Sequence, residues 1–354
     1  MYKNIARVLM GVLMFCLILT DYVYAQEALT LQQATVRAIQ HSKVLQQTTY
    51  DIEKNWEIRD DAASNVPYIP IGATSGDTAL AAAYAGLISA DLNIQMSNKN
   101  KGIEIDAIKL SVMNKYLNVL MAEASYDYAK ELLNLSNKEW AINKLSYNVG
   151  MVSKKKIDIE NISNRSSKEN LAAAQTTLDK AYQELNNLIG YNANTRYQLL
   201  DEPGFASLEI DDVDSTITRI MDGNPLIWLA EQQVDLAKLK LSLPSIEPFK
   251  VRSLNVDKAE LSVVQSREDM RNALYTSYQS IKELEHNYEL SEQALKIAEE
   301  ECGNNRLLYD VGMLSKIDLD KSQLRVSKAK MDIKRLIYQH EVLKEAFYKP
   351  WAYR

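Results

Sequence analysis

The sequence predicts an all-α dominated protein made of two tandem long antiparallel helical hairpins, with little or no β-barrel. Three observations predict it. A twelve-residue segment occurs twice, 162 residues apart, and each copy is centred on a glycine turn. Apolar residues recur every seven positions on both sides of each copy, the spacing that keeps side chains on one stripe of a helix. Finally, 354 residues include only 11 Gly and 7 Pro, little material for a fold rich in turns.

The first 25 residues read as a secretory signal. Lys3 and Arg7 give a positive start, Val8 to Thr20 an apolar run, and Val23-Tyr24-Ala25 a cleavage site, so cleavage is expected after Ala25. The alternative is an uncleaved anchor, for which the run is short of the roughly 20 apolar residues a spanning helix needs. Cys16, preceded by Met14 and Phe15, does not make a lipoprotein box. Removal of the leader leaves Cys302 alone, and one cysteine forms no intramolecular disulfide.

Residues 26–190 form the first repeat. An opening helix is expected from Thr30 to about Asp61, carrying Leu31, Ala34, Ala38 and Leu45 at helical spacing. Val66 to Ile71 and the alternating Leu92, Ile94 and Met96 are candidate strands. Between them Leu80 to Leu87 is alanine-rich and no better as strand than as helix. A descending helix is expected from about Ile103 to Tyr147, roughly 65 Å long at 1.5 Å per residue. Its stripe is Val112, Val119, Tyr126, Leu133, Trp140 and Tyr147, with the small residues Ala122 and Ala129 beside it. The returning helix carries Ile157, Leu171, Leu178 and Leu185 and ends at Leu188-Ile189-Gly190.

Residues 191–212, with Pro203-Gly204 inside, read as a linker, and 213–354 as the second repeat. Its opening helix runs from Asp214 to about Leu241 and includes Asn224-Pro225-Leu226. Leu243 to Asn255 is the material for strands here, and it holds Pro244 and Pro248, poorly tolerated in a sheet interior. Leu274, Ile281, Tyr288, Leu295, Cys302 and Tyr309 repeat the first stripe at the same offset, and Leu319, Ile333, His340 and Phe347 repeat the second.

The doubled segment reads NKLSYNVGMVSK from Asn143 and NRLLYDVGMLSK from Asn305. Gly150 and Gly312 stand where a helix ends in a left-handed cap. Ser153 and Ser315 follow as N-caps of the returning helices, Ser315 with Asp318 in a capping-box pattern. Each segment is thus a tight turn at the tip of a hairpin.

Little in the sequence points to chemistry. The net charge of -6, from 41 basic and 47 acidic residues, gives no footprint for nucleic acid. His41, His286 and His340 stand in separate segments without metal-ligand spacing, and no metal or cofactor is expected. His340 falls on an apolar stripe and reads as a core or interface histidine, and Cys302 as a residue of the helix seam. Glu299-Glu300-Glu301 reads as a solvated helix face. Phosphate-cradling and nucleophile-elbow motifs are missing, and the chain is not expected to be an enzyme.

The residues resemble the TolC family of outer-membrane efflux channel proteins. The resemblance rests on Leu29-Thr30-Leu31-Gln32-Gln33-Ala34, on Asn224-Pro225-Leu226, and on the doubled Tyr-x-Val-Gly-Met-x-Ser turn, and it covers nearly the whole mature chain. It implies a homotrimer whose coiled helices form a hollow cylinder in the cell envelope. It also implies that the turns meet a periplasmic adaptor (a membrane fusion protein) and, through it, an inner-membrane pump. The docking residues it points to are Tyr147, Val149, Gly150, Met151, Ser153 and Lys154 at one tip. At the other they are Tyr309, Val311, Gly312, Met313, Ser315 and Lys316.

The sequence departs from that pattern where the family has a barrel of four strands per chain. Two strands per chain would give six in a trimer, below the usual eight of a membrane barrel, and an open sheet edge cannot span lipid. A barrel-poor relative is therefore expected, either an export conduit or a helical scaffold of the envelope that has lost the membrane barrel. Two details at the tips also carry alternatives. Lys154-Lys155-Lys156 is a solvated helix start or a basic rim for an acidic partner, and Met151 and Met313 either meet a partner or fold back onto their hairpins.

Overall fold

A computed structural model of the chain describes residues 28–66, 78–243 and 247–353. The expected signal sequence, Cys16, most of the candidate strand Val66 to Ile71, and part of Leu243 to Asn255 lie outside them. The elements in chain order are β1 (Ala28–Leu29), α1 (Leu31–His41), α2 (Lys43–Ser64), α3 (Thr78–Asn148), α4 (Lys154–Ile189) and β2 (Gln198–Leu199). They continue with α5 (Val213–Asp222), α6 (Pro225–Ser242), α7 (Phe249–Asp310), α8 (Lys316–Tyr348) and a 3₁₀ turn (Pro350–Ala352).

Two expectations are corrected here. The descending helix does not begin near Ile103: α3 is one helix of 71 residues starting at Thr78, and α7 is one of 62. Leu80 to Leu87 and the alternating Leu92, Ile94 and Met96 are therefore helical. Alternation over five residues also fits a helix, and the alanines before it favour one. In the same way Phe249 to Asn255 opens α7 instead of forming a strand.

The opening helices are the second correction, because each is broken in two. The Ser42 hydroxyl accepts from the Leu45 N–H and starts α2 as a new helix. In the second repeat Gly223 ends α5, and Asn224 caps α6 with Pro225 at its first position, where the missing N–H costs nothing.

α3 and α4 form one antiparallel hairpin and α7 and α8 the other, and the two lie side by side through α3 and α8. The lower layer thus reads α4, α3, α8, α7. Above it α2 packs on α3, α6 packs on α7, and α3 meets α6, giving α2, α3, α6, α7. The 162-residue offset holds in the packing: Val112 and Leu274, Val119 and Ile281, Ile157 and Leu319, and Leu185 and Phe347 are buried in pairs. Each fully buried aliphatic contributes about 1.5–3 kcal/mol, which makes these stripes the spine of both hairpins.

The middle of the molecule is tied by polar groups inside apolar clusters. The strands β1 and β2 pair in parallel over two residues each. The fully buried Tyr116 hydroxyl donates to the Leu29 carbonyl (3.1 Å) and accepts from the Asp201 N–H (2.9 Å), fixing both segments to α3. Tyr197 donates to the Asn186 Oδ1 at 2.9 Å, and Tyr338 to Glu202 at 2.7 Å. Burial, with the Glu123 carboxylate beside it, pushes the Tyr182 hydroxyl well above its ordinary value.

His340 is a core residue, buried against Phe205 with its Nε2 3.2 Å from Glu285. Glu285 also accepts from the Leu208 N–H. Burial would raise its carboxyl, but Lys282, the Leu208 N–H and His340 outweigh that and hold it below the usual range. Cys302, expected in the seam, is half-buried. Among the described residues no helix is long and apolar enough to cross a membrane, and the strands are those two short ones.

Candidate functional site: the hairpin tips

Each tip is built by its backbone. α3 ends at Asn148, and Gly150 takes φ 75°. The Met151 N–H then reaches back to the Ser146 carbonyl (2.8 Å) and the Gly150 N–H to that of Tyr147 (3.0 Å). These are the two bonds of a Schellman cap, which satisfy carbonyls the helix leaves unpaired. The second tip repeats them: Gly312 has φ 78°, Met313 bonds back to Leu308 (2.8 Å) and Gly312 to Tyr309 (2.9 Å). Two residues on, the Ser153 and Ser315 hydroxyls accept from the Lys156 and Asp318 N–H groups and start the returning helices.

This geometry turns apolar side chains outward. All twelve residues singled out from the sequence are exposed. Met151 is 79% exposed and Met313 76%, so neither folds back onto its hairpin; Val149 and Val311 are 63% and 68% exposed. Leu145 and Leu307, equivalent positions one turn earlier, extend the same surface and were missed in the sequence reading. Their heptad positions show them off the buried stripe, and that signal could have found them.

Just above the tips the seam becomes polar and small. Ser136, Asn164, Ser167 and Ser322 are buried there, and Asn164 donates to Asn137 at 2.8 Å. Trp140 donates to Asn161 at 2.6 Å. Nearest the turns the buried apolar side chains are Ile157 and Leu319, one per hairpin, so the tips stand on helix length and capping more than on a broad core.

The two tips lie at the same end. Lys138 on α3 meets Asp320 on α8 at 2.6 Å, and Lys321 on α8 meets Glu139 on α3 at 2.8 Å. Lys316 adds a second cation to Asp320 at 3.0 Å. Burial would raise the Asp320 carboxyl, but Lys138 and Lys316 prevail and hold it below its ordinary range. Glu139 holds the Lys321 ammonium above its own. Lys316 and Asp320 stand at helical i,i+4 spacing, but no spacing within one helix identifies the Lys138–Asp320 and Lys321–Glu139 pairs, which close between helices.

The tips differ in charge. Lys156 pairs with Glu160 at 2.6 Å, while Lys154 and Lys155 are exposed. At the second tip the matching positions hold Lys316, over the Tyr309 ring at 5.5 Å, and Asp318, paired with Lys321 at 4.0 Å. The Glu299–Glu301 run lies along α7, where Glu299 pairs with Lys330 and Glu301 with Arg325. Among the described residues no group of three His, Cys, Asp or Glu is placed to hold a metal ion.

Comparison with known proteins places this architecture. No family model matches the sequence, and no curated protein matches it. Solved structures do match over nearly the full length. The Campylobacter jejuni CmeC outer membrane channel aligns with a TM-score of 0.65 at 13% identity, covering 91% of this chain and 85% of that one. The outer-membrane channel OprN gives 0.68 at 12%, covering 91% and 90%. The outer membrane protein VceC of Vibrio cholerae gives 0.62 at 13%, covering 91% and 95%. At these identities the likeness concerns the fold, and the fold is TolC-like.

Proposed function

We propose that this chain, with its TolC-like fold, is an export component of the cell envelope. In this reading three copies form a conduit whose hairpin tips dock a periplasmic adaptor protein, and through it an inner-membrane pump. The observation that carries it is the pair of tips: two equivalent methionines, more than three-quarters exposed, held out by identical cap geometry. Exposed methionine has no core to fill at such a place. Its flexible, polarisable side chain suits an adaptable apolar contact. The exposed Lys154 and Lys155 give one tip a basic rim that steers an acidic partner. The leader, the division into repeats at 26–190 and 213–354, and the envelope location belong to the same proposal. The solved structures that share the fold are channels rather than enzymes, which supports a role without catalysis.

A second reading, a helical scaffold that conducts nothing, is favoured by the helices that occupy the end opposite the tips. One experiment separates the two. Met151→Asp with Met313→Asp puts a charge into each apolar contact without touching the fold's core. In a pull-down with the cognate periplasmic adaptor, the double variant should lose binding while helicity and Tm stay near wild type. Retention of normal binding would sink the docking claim, and a wild-type chain that never binds the adaptor would favour the scaffold.

A further inference from the structure

The layer made by α3, α8 and α7 has two faces. On one, Tyr116 of α3 bonds to β1, Lys282 of α7 donates to the Leu208 carbonyl (2.8 Å), and His340 of α8 lies against Phe205. That face carries β1 and the linker. Two positions along a helix are roughly 200° of rotation, so Asn118, Ser280 and Val342 turn to the opposite face. There a groove of about 600 Å³ crosses α8 from α3 to α7. Small-molecule sites occupy about 300–1,000 Å³. Leu117, Met121 and Val342 give the groove an apolar lining, and Asn118, Asn287 and Gln339 add neutral amides.

Its charge is one-sided. The charged side chains that line it are Glu283 and Arg335. Arg335 is answered by Asp332 on its own helix. Glu283 is exposed and has no ion-pair partner among the described residues. Three and four positions away on α7 stand Gln279, Ser280, His286 and Asn287, with no lysine or arginine among them. At one edge of the groove Tyr353 is 66% exposed, and it also borders two neighbouring hollows. The turn that carries it is anchored: the Trp351 indole donates to Asp106 (2.9 Å), and Ala352 is buried with Leu110.

We propose that this groove binds one amphipathic organic cation, an apolar body carrying a single positive charge. The apolar lining takes the body. Glu283 answers the charge, and the ring of Tyr353 attracts a cation over its face. The amide oxygens accept from any N–H the ligand carries. An anion of the same shape would face the unanswered Glu283, while the cation that could hold it, Arg335, is already paired. The site stands apart from the docking and ring assembly put forward above, and the isolated chain suffices to test it.

The test is fluorescence titration of the purified chain with two cationic dyes, rhodamine 6G and ethidium, and with the anionic dye fluorescein. At least one cation should bind saturably, one per chain, and fluorescein should not. Glu283→Gln should weaken cation binding about threefold, the effect of one exposed ion pair, and Tyr353→Ala by about the same factor. Gln339→Trp, a bulky side chain at an exposed lining position, should abolish it with helicity unchanged. Absence of saturable binding by either cation would overturn the site. Binding that survives Gln339→Trp would place the dye elsewhere and overturn it too. Fluorescein binding as tight as the cations would overturn the charge selection. If Gln339→Trp loses helicity, Glu283→Gln decides, and an affinity equal to wild type there would sink the proposal.

Discussion

Lys138 and Asp320 join the two hairpins a few turns above their tips, Nζ to carboxylate at 2.6 Å. Asp320 sits below its ordinary pKa of 3.8, so its contribution is complete above that value and fades as pH falls through the depressed one. Lys321 sits above its ordinary 10.5, so its contribution holds below that value and is lost as pH rises through the raised one. The junction is therefore intact across the neutral range. Asp320→Asn should cost about 0.5–1 kcal/mol, the range of partly exposed pairs. In urea titrations the gap between variant and wild type should close as pH falls toward the acid limb. A gap that stays constant with pH would refute the electrostatic account.

Among the described residues the three left-handed glycines, Gly150, Gly190 and Gly312, should not be equivalent. A Cβ on Gly150 or Gly312 meets nothing within 4 Å, so Gly→Ala there costs only backbone strain, roughly 1 kcal/mol. A Cβ on Gly190 would stand 2.7 Å from the His41 Nδ1 and push that ring aside. Thermal melts should therefore rank Gly190→Ala below both tip variants, and pairing it with His41→Ala should recover part of the loss.

Tyr116→Phe removes one hydroxyl and two hydrogen bonds. The Leu29 carbonyl keeps the Leu200 N–H at 3.2 Å, but the Asp201 N–H loses its partner. The expected cost is about 1–3 kcal/mol, read as a lower urea midpoint. Hydrogen exchange should speed first at Asp201 and at β1. A midpoint equal to wild type would show that water replaces the hydroxyl without loss.

Export has its own test. N-terminal sequencing of the protein from the envelope fraction should begin at Gln26. An intact Met1 on the mature protein would refute cleavage after Ala25.

The tips were legible because their signals are local. A glycine after a long apolar stripe and a serine three residues later fix the caps without help from the rest of the fold. The buried stripes were legible because Val112, Val119, Leu274 and Ile281 each recur at seven. The start of α3 was not, because the Leu92, Ile94 and Met96 alternation is too short to separate two periods. The break at Ser42 was hidden by the apolar spacing that runs through it, from Ala38 to Leu45. The ties between hairpins were not legible either. Lys138 and Asp320 stand 182 residues apart, and only the packing of α3 on α8 brings them together.

The 71 residues of α3 make one rod about 105 Å long, at 1.5 Å per residue. It reaches from the tip of the first hairpin past the apolar core to the opposite end, without a proline along its length. A rod of that kind transmits angle rather than distance. Pivoting about one end by about five degrees would sweep the other through roughly 9 Å, on that length. A partner pressing on Met151 would thus be felt at Asp91 as leverage.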